Sequence, residues 1–194
     1  MRILFVAGVF VFTFAMLSEA AVTFKVGPSL NTFTDSRITG LGSTFTMSFD
    51  LDKASAGYKM EQQNLTVTDA QNTANNFLLN AQISTLTMEK SVVHVTNELP
   101  VKVGLEIGSM QLTGLAGTVA APAALSQALP LLGVNGGIEY DSVGQSVSTS
   151  IFLNFGYRFI DLRDVAVPAG FTAGGINFKD LNALHIEVGV GIGF

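Results

Sequence analysis

The chain has 194 residues, no Cys and a formal net charge of −5 at neutral pH. Without Cys it has no disulfide, no cysteine-built metal site and no cysteine-borne lipid anchor, and an acidic chain lacking a basic patch does not suit nucleic acid. Charged residues are 13% of the chain, about half the share of an ordinary soluble domain.

Arg2 supplies an early positive charge. Ile3 to Leu17 is apolar except for Gly8 and Thr13, and Ser18-Glu19-Ala20 brings small residues to a cleavage position. This pattern predicts a secretory signal peptide over residues 1–20, cut after Ala20, because the run is too short for a membrane helix and a cleavage site follows. Arg2 and Glu19 leave together, so the net charge is unchanged. Residues 21–194 suit one barrel or one sandwich. No later apolar run is long enough to cross a bilayer as a helix.

Beyond Ala20 the apolar residues recur with period two, as strands require. Val22, Phe24 and Val26 alternate with Thr23, Lys25 and Gly27. Phe45, Met47, Phe49 and Leu51 make a second ladder, and Ala56, Tyr58 and Met60 a third. A strand over Leu86 to Thr96 needs a β-bulge near Ser91 or Val92, because Leu86 and Met88 are apolar at even positions and Val93 and Val95 at odd ones. Further ladders are Val101 to Ile107; Val134, Ile138 and Tyr140; and Val147 to Phe159 at odd positions. The last, Leu184 to Phe194, is apolar at every even position and carries His, Glu or Gly at every odd one. Eight strands result. Connections around Asp52-Lys53, Asn97-Glu98 and Asp141 to Gln145 read as short. Those around 28–41, 62–84, 111–132 and 160–180 read as long.

The final segment, with Val188, Val190, Ile192 and a terminal Phe194, resembles the last strand of bacterial outer-membrane β-barrels. In that family the closing aromatic and the alternate apolar residues before it are the signal read by the barrel assembly machinery. His94-Val95-Thr96-Asn97-Glu98-Leu99-Pro100-Val101 resembles the strand–turn–strand joint of small barrels of the opacity and OmpA-like group. The resemblance is one of pattern over residues 21–194, and this broad group has no shared active site to carry over. It implies an all-β fold: an eight-stranded, antiparallel, up-and-down transmembrane barrel with short periplasmic turns and long outer loops. It also implies export to the outer membrane of a Gram-negative-type bacterium and contact with outer-membrane lipid. Trp is absent, so Phe carries the aromatic girdles, with Tyr58, Tyr140 and Tyr157 as candidate interface anchors.

The face opposite the apolar ladders carries Lys25, Asp50, Lys59, Glu61, Lys102, Glu106, Glu139, Arg158, His185 and Glu187. Asp50 lies near a turn, and without it four cations meet four anions. An eight-stranded barrel is narrow enough to be filled by side chains, and buried charges there must be paired. The expectation is a salt-bridged lumen rather than a wide selective pore. His185 and Glu187, two residues apart, with Ser148 or Ser150 as nucleophile, would be the ingredients of a lipid-modifying enzyme. Lumen hydrogen bonding accounts for them more simply, and no enzyme activity, cofactor or metal is expected. Gly189, Gly191 and Gly193 read as small inward residues, not as a phosphate loop.

Two connections carry structure of their own. Ala70, Ala74, Phe77, Leu78 and Ala81 stand at helical spacing after Asp69, a plausible N-cap. The stretch from Leu115 to Leu132 is too apolar to stay solvated; it predicts a short amphipathic helix on the barrel rim or a cover over the outer mouth. The functional expectation is a structural or surface-interaction protein whose outer loops meet an extracellular or hydrophobic ligand. The alternatives are a narrow channel or hydrophobic-ligand conduit and, behind both, the enzyme.

Overall fold

The computed structural model describes residues 21–34, 37–51, 54–69, 71–96, 99–115, 117–119, 121, 128–143, 147–160 and 181–194. The expected signal peptide and almost all of the last connection, residues 161–180, lie outside them. Eight strands form a closed barrel in which each pairs antiparallel with its neighbours in sequence and β1 pairs with β8. They are β1 (Ala21–Phe33), β2 (Ile38–Leu51), β3 (Ala54–Thr68), β4 (Asn76–Thr96), β5 (Leu99–Leu115), β6 (Ala128–Val143), β7 (Ser148–Ile160) and β8 (Ala183–Gly193).

The register sets the shape. Starting at Thr23, the partners run Ser48, Gly57, Thr87, Glu106, Gly133, Arg158 and Ala183, and return to β1 at Phe33, ten residues on from Thr23. A shear of that size over eight strands tilts them by roughly 40–45°, so each residue climbs about 2.4 Å along the barrel axis. The seam is closed to the last residue: Val22 N–H donates to the Phe194 carbonyl at 3.1 Å, and Phe194 N–H donates back at 3.0 Å. Outside the seam the rings of Phe24, Phe45 and Phe194 lie together, with centroids 6.2 and 6.5 Å apart.

Outward-facing apolar side chains form a continuous belt. It runs from Phe194, Tyr140 and Leu51 at the end with the termini to Leu41, Phe159 and Leu184 toward the other, all of them exposed. Projected on the axis the belt is about 25 Å tall, the height of the apolar band of an outer-membrane barrel. Tyr140 and Tyr157 lie near its two edges. Tyr58 pairs with Met47 and Leu86 inside the belt, so it is not an edge anchor.

Above the belt the polarity of the wall inverts with no break in the strands. On β3 the apolar residues move from the outward positions Ala56, Tyr58 and Met60 to the inward positions Leu65 and Val67. On β4 and β5 the inward positions become Ile83, Ala81, Leu79 and Phe77, and Met110 and Leu112. The outward positions there are largely amides and hydroxyls: Gln62, Asn64, Gln82, Asn80, Gln111 and Thr113. With Phe33, Ile38, Leu129, Leu131, Ile160 and Leu181, the inward residues form one buried apolar cluster that fills the outer part of the lumen.

The inversion changes the expected boundaries. β1 to β6 run further at the outer end than the ladders indicate, which shortens the connections to residues 34–37 and 69–75. The residues at helical spacing after Asp69 do not form a helix. Phe77, Leu78 and Ala81 belong to β4, and the Asp69 carboxylate accepts the Gln71 N–H at 2.9 Å in a turn. In the apolar stretch, Leu129, Leu131 and Leu132 lie on β6, the first two inside the plug, and Val119 and Ala121 pack against it. The rim helix is therefore not formed by residues 128–132; residues 116, 120 and 122–127 lie outside the described set. The register of β4 on β5 shifts between Ser91 and Val93, where the change of phase required a bulge.

The belt and the inverted wall above it should respond differently to charge. Leu105→Lys, within the belt, is expected to lower stability in lipid vesicles by about 2–4 kcal/mol. Gln111→Lys, on the same strand above the belt, should change it by less than about 0.5 kcal/mol. Urea unfolding of the two variants checks this, and equal costs would refute the assigned belt.

Candidate functional site

The lumen below the plug is polar because every strand turns its non-lipid face into it, and eight strands leave little room for water. Its buried charged residues come from six strands and gather in two clusters. In the upper one, Arg158 on β7 reaches Glu61 on β3 (Nη1 to Oε2, 2.8 Å) and Glu106 on β5 (Nε to Oε2, 3.1 Å). Lys59 on β3 reaches Glu106 (3.1 Å) and Glu187 on β8 (2.6 Å). All five side chains are buried. His185 lies among them: Nδ1 is 3.0 Å from Asn31 Oδ1, and Nε2 is 3.3 Å from Lys59 Nζ and 3.5 Å from Glu187. With Nδ1–H donating to the Asn31 carbonyl oxygen, Nε2 is left to accept from the lysine ammonium.

Neutral side chains complete the cluster. The Ser29 hydroxyl donates to Glu61 at 2.8 Å, Gln63 Nε2 also donates to Glu61, and the Thr44 hydroxyl donates to Glu187 at 2.5 Å. Such donors matter because a carboxylate keeps lone pairs that one cation cannot fill, and an unfilled buried acceptor is costly. Ser29, Asn31, Thr44 and Gln63 were not among the sequence candidates. Ser29 and Asn31 share the parity of Lys25, Gln63 shares that of Lys59 and Glu61, and Thr44 that of Asp50; continuing each strand would have found them.

The lower cluster lies nearer the termini. Glu139 on β6 takes both Lys25 on β1 (2.7 Å) and Lys102 on β5 (2.5 Å). Lys25 Nζ also stands 5.4 Å from the centre of the Phe152 ring, within cation–π range. Phe152 fits because Gly189 lies beside it: a Cβ there would come 2.7 Å from the ring. A Cβ on Gly191 would meet Ser150 Oγ at 2.5 Å and Lys25 Cγ at 3.1 Å. These glycines are the small inward residues that let large side chains cross the lumen. Asp50 is half-buried at the mouth and accepts the Thr23 hydroxyl at 2.8 Å.

The structure does not assemble the enzyme ingredients. Ser150 pairs with Gly191 and Ser148 with Gly193, whereas His185 pairs with Gly156. The serines are at the mouth, and the histidine is about six residues further up the neighbouring strand, roughly 15–20 Å away. His185 and Glu187 do adjoin, but among cations rather than beside a nucleophile. Among the described residues no group of His, Asp and Glu is arranged to hold a metal ion.

No family model matches the sequence, and neither does any curated protein. Solved structures are similar in fold. The crystal structure of Neisserial surface protein A superposes with a TM-score of 0.55 at 11% identity, covering 91% of this chain and 96% of that one. Ail, the attachment invasion locus protein of Yersinia pestis, solved with the heparin analogue sucrose octasulfate, gives 0.46 at 9% identity over 91% and 99%. The fold is that of a small eight-stranded outer-membrane β-barrel.

The upper cluster is expected to act as a unit. Arg158→Ala leaves Glu61 and Glu106 buried with a deficit of cations, and should lower stability by about 3–5 kcal/mol. Asp50→Asn, at the wetter mouth, should cost less than about 1 kcal/mol. Equilibrium urea unfolding of both barrels decides; an unchanged Arg158→Ala midpoint would show that the lumen charges are fully hydrated.

Proposed function

We propose that this chain is an exported bacterial outer-membrane protein whose barrel serves as a rigid anchor, with a structural or surface-interaction role carried by its outer end. The observation that supports this reading is the filling of the lumen at three levels. Lys25, Glu139, Lys102 and Phe152 occupy the lower part. The Arg158–Lys59 cluster occupies the middle. The apolar plug around Phe77, Leu79, Leu65 and Ile38 closes the outer part. An ion crossing it would have to break several buried pairs and then pass a dry apolar layer. The same filling argues against a conduit for hydrophobic ligands through the barrel axis. What remains available is the outer end, where polar strand extensions rise above the lipid belt and where an extracellular or hydrophobic ligand would make contact. Planar-bilayer recording of the refolded barrel is expected to show no steady conductance. A stable open pore would overturn the anchor reading in favour of the channel.

In this reading the signal peptide over residues 1–20 directs export, and the terminal ladder directs membrane assembly. Val188, Val190, Ile192 and Phe194 face outward and are exposed, and Phe194 is tied to β1 by two hydrogen bonds. They are thus presented on the strand that closes the barrel, where assembly machinery would read them. Deleting Phe194 should leave export intact and reduce outer-membrane insertion, scored by fractionation and by heat-modifiable gel migration. Normal insertion of the deletion variant would remove this role.

A further inference from the structure

The barrel mouth beside the termini is an open cleft of about 260 Å³, unlike the filled outer end. Its lining is rich in hydrogen-bond acceptors: Asp50, Glu89, Glu139 and Asp141, with the hydroxyls of Thr23 and Ser150. Among the described residues the lysines that reach this region are Lys25 and Lys102, and both are engaged by Glu139; His94 also lines it. Among the described residues, Asp50 and Glu89 receive neutral donors, the Thr23 hydroxyl at 2.8 Å and the Asn135 amide at 3.3 Å. Among the described residues, with His94 neutral, four carboxylates against two ammonium groups leave an excess of two negative charges around a small cleft. A second feature points the same way. Ser150 is 7% exposed, lines the cleft, and its buried Oγ has no hydrogen-bond partner. A buried hydroxyl without a partner is uncommon and marks a place where a further group is expected.

We propose that this mouth is a binding site for a small organic polycation, a linear polyamine bearing primary ammonium groups. Such a ligand has only donors to offer and carries the charge that the cleft lacks. Carboxylates on β2, β4 and β6 surround the opening and can be met by ammonium groups spaced along one short chain. The Ser150 hydroxyl oxygen, on β7, accepts from the ammonium that enters deepest. The floor, made by Lys25, Glu139 and Phe152, prevents onward passage, so the site is for binding rather than transport. Calling the mouth periplasmic rests on the outer-membrane reading above; the cleft and its charge do not.

Calorimetric titration of the refolded full barrel in neutral detergent with spermidine tests the proposal. Saturable binding that weakens with added salt is expected. Combining Glu89→Gln with Asp141→Asn should weaken it by about tenfold or more. Lys102→Gln, which removes a competing ammonium, should tighten it, a gain that a misfolded protein could not show. Heat-modifiable migration establishes that each variant is folded. Absence of saturable binding to the parent barrel, equal affinity in the double variant, or tighter binding of inorganic phosphate than of spermidine would overturn the proposal. None of these results would bear on membrane insertion.

Discussion

Arg158 and Lys59 cannot be solvated where they are, and the rest of the lumen is arranged around that fact. Eight strands with a ten-residue shear leave a space only wide enough for side chains to fill. A guanidinium or ammonium placed there must find carboxylates on other strands. Arg158 therefore binds β7 to β3 and β5, and Lys59 binds β3 to β5 and β8. These contacts cross the barrel, so they act between strands that share no backbone ladder. They also tie the register. A slip by one residue would turn a buried ion into the lipid and a Leu or Val into the charged cluster, and both errors are expensive at once. The ladder of backbone hydrogen bonds alone does not discriminate between registers in this way.

The same reasoning explains why the wall changes character above the lipid belt. Within the belt the outside is apolar solvent, so the lumen can be polar only if its polar groups satisfy one another. Beyond the belt the outside is water, and the strands revert to the arrangement of a soluble protein, apolar within and polar without. The exchange takes about two residues on each strand: Met60 faces out and Glu61 in, then Gln62 faces out and Leu65 in. No bulge is needed, because the period of two is preserved and only the solvent on each face changes. The outer plug is thus a consequence of strands that continue past the bilayer, and it closes the lumen without any separate domain.

That exchange also marks where the sequence stops being legible. The belt ladders are plain to read, since Val22 to Val26, Val147 to Phe159 and Leu184 to Phe194 alternate cleanly. Even the phase break on β4 identified the bulge, at Ser91 to Val93. The extensions were lost because their apolar residues have the opposite parity. Phe77, Leu79, Ala81 and Ile83 do alternate, but they contradict Leu86 and Met88 on the same strand. A reader following one apolar face takes the contradiction for the end of the strand. The helical spacing of Ala70, Ala74, Phe77 and Ala81 then fills the gap by coincidence, because a separation of four, as between Phe77 and Ala81, places two residues on one face of a helix and of a strand alike. The charged lumen was more accessible. Lys59, Glu61, Glu106 and Arg158 all stand within clean ladders, whereas Asn31 and Gln63 stand where the parity was no longer being followed.

The two ends of the barrel follow from how each strand stops. At the outer end the strands overrun the bilayer and bury an apolar core between them, which excludes water and fixes the lumen shut. At the end with the termini they stop close to the edge of the belt, so there is no length in which to reverse polarity. The last inward residues, Asp50, Glu89, Ser150 and Asp141, remain polar up to the opening and line a wet cleft. A carboxylate tolerates that position because water reaches it, whereas the same group one layer deeper requires its own cation, as Glu139 has in Lys25 and Lys102. Among the described residues, pairing is therefore strict in the middle and incomplete at the mouth. The incompletely paired rim, rather than the well-neutralised centre, is where the barrel retains charge with which to attract a ligand.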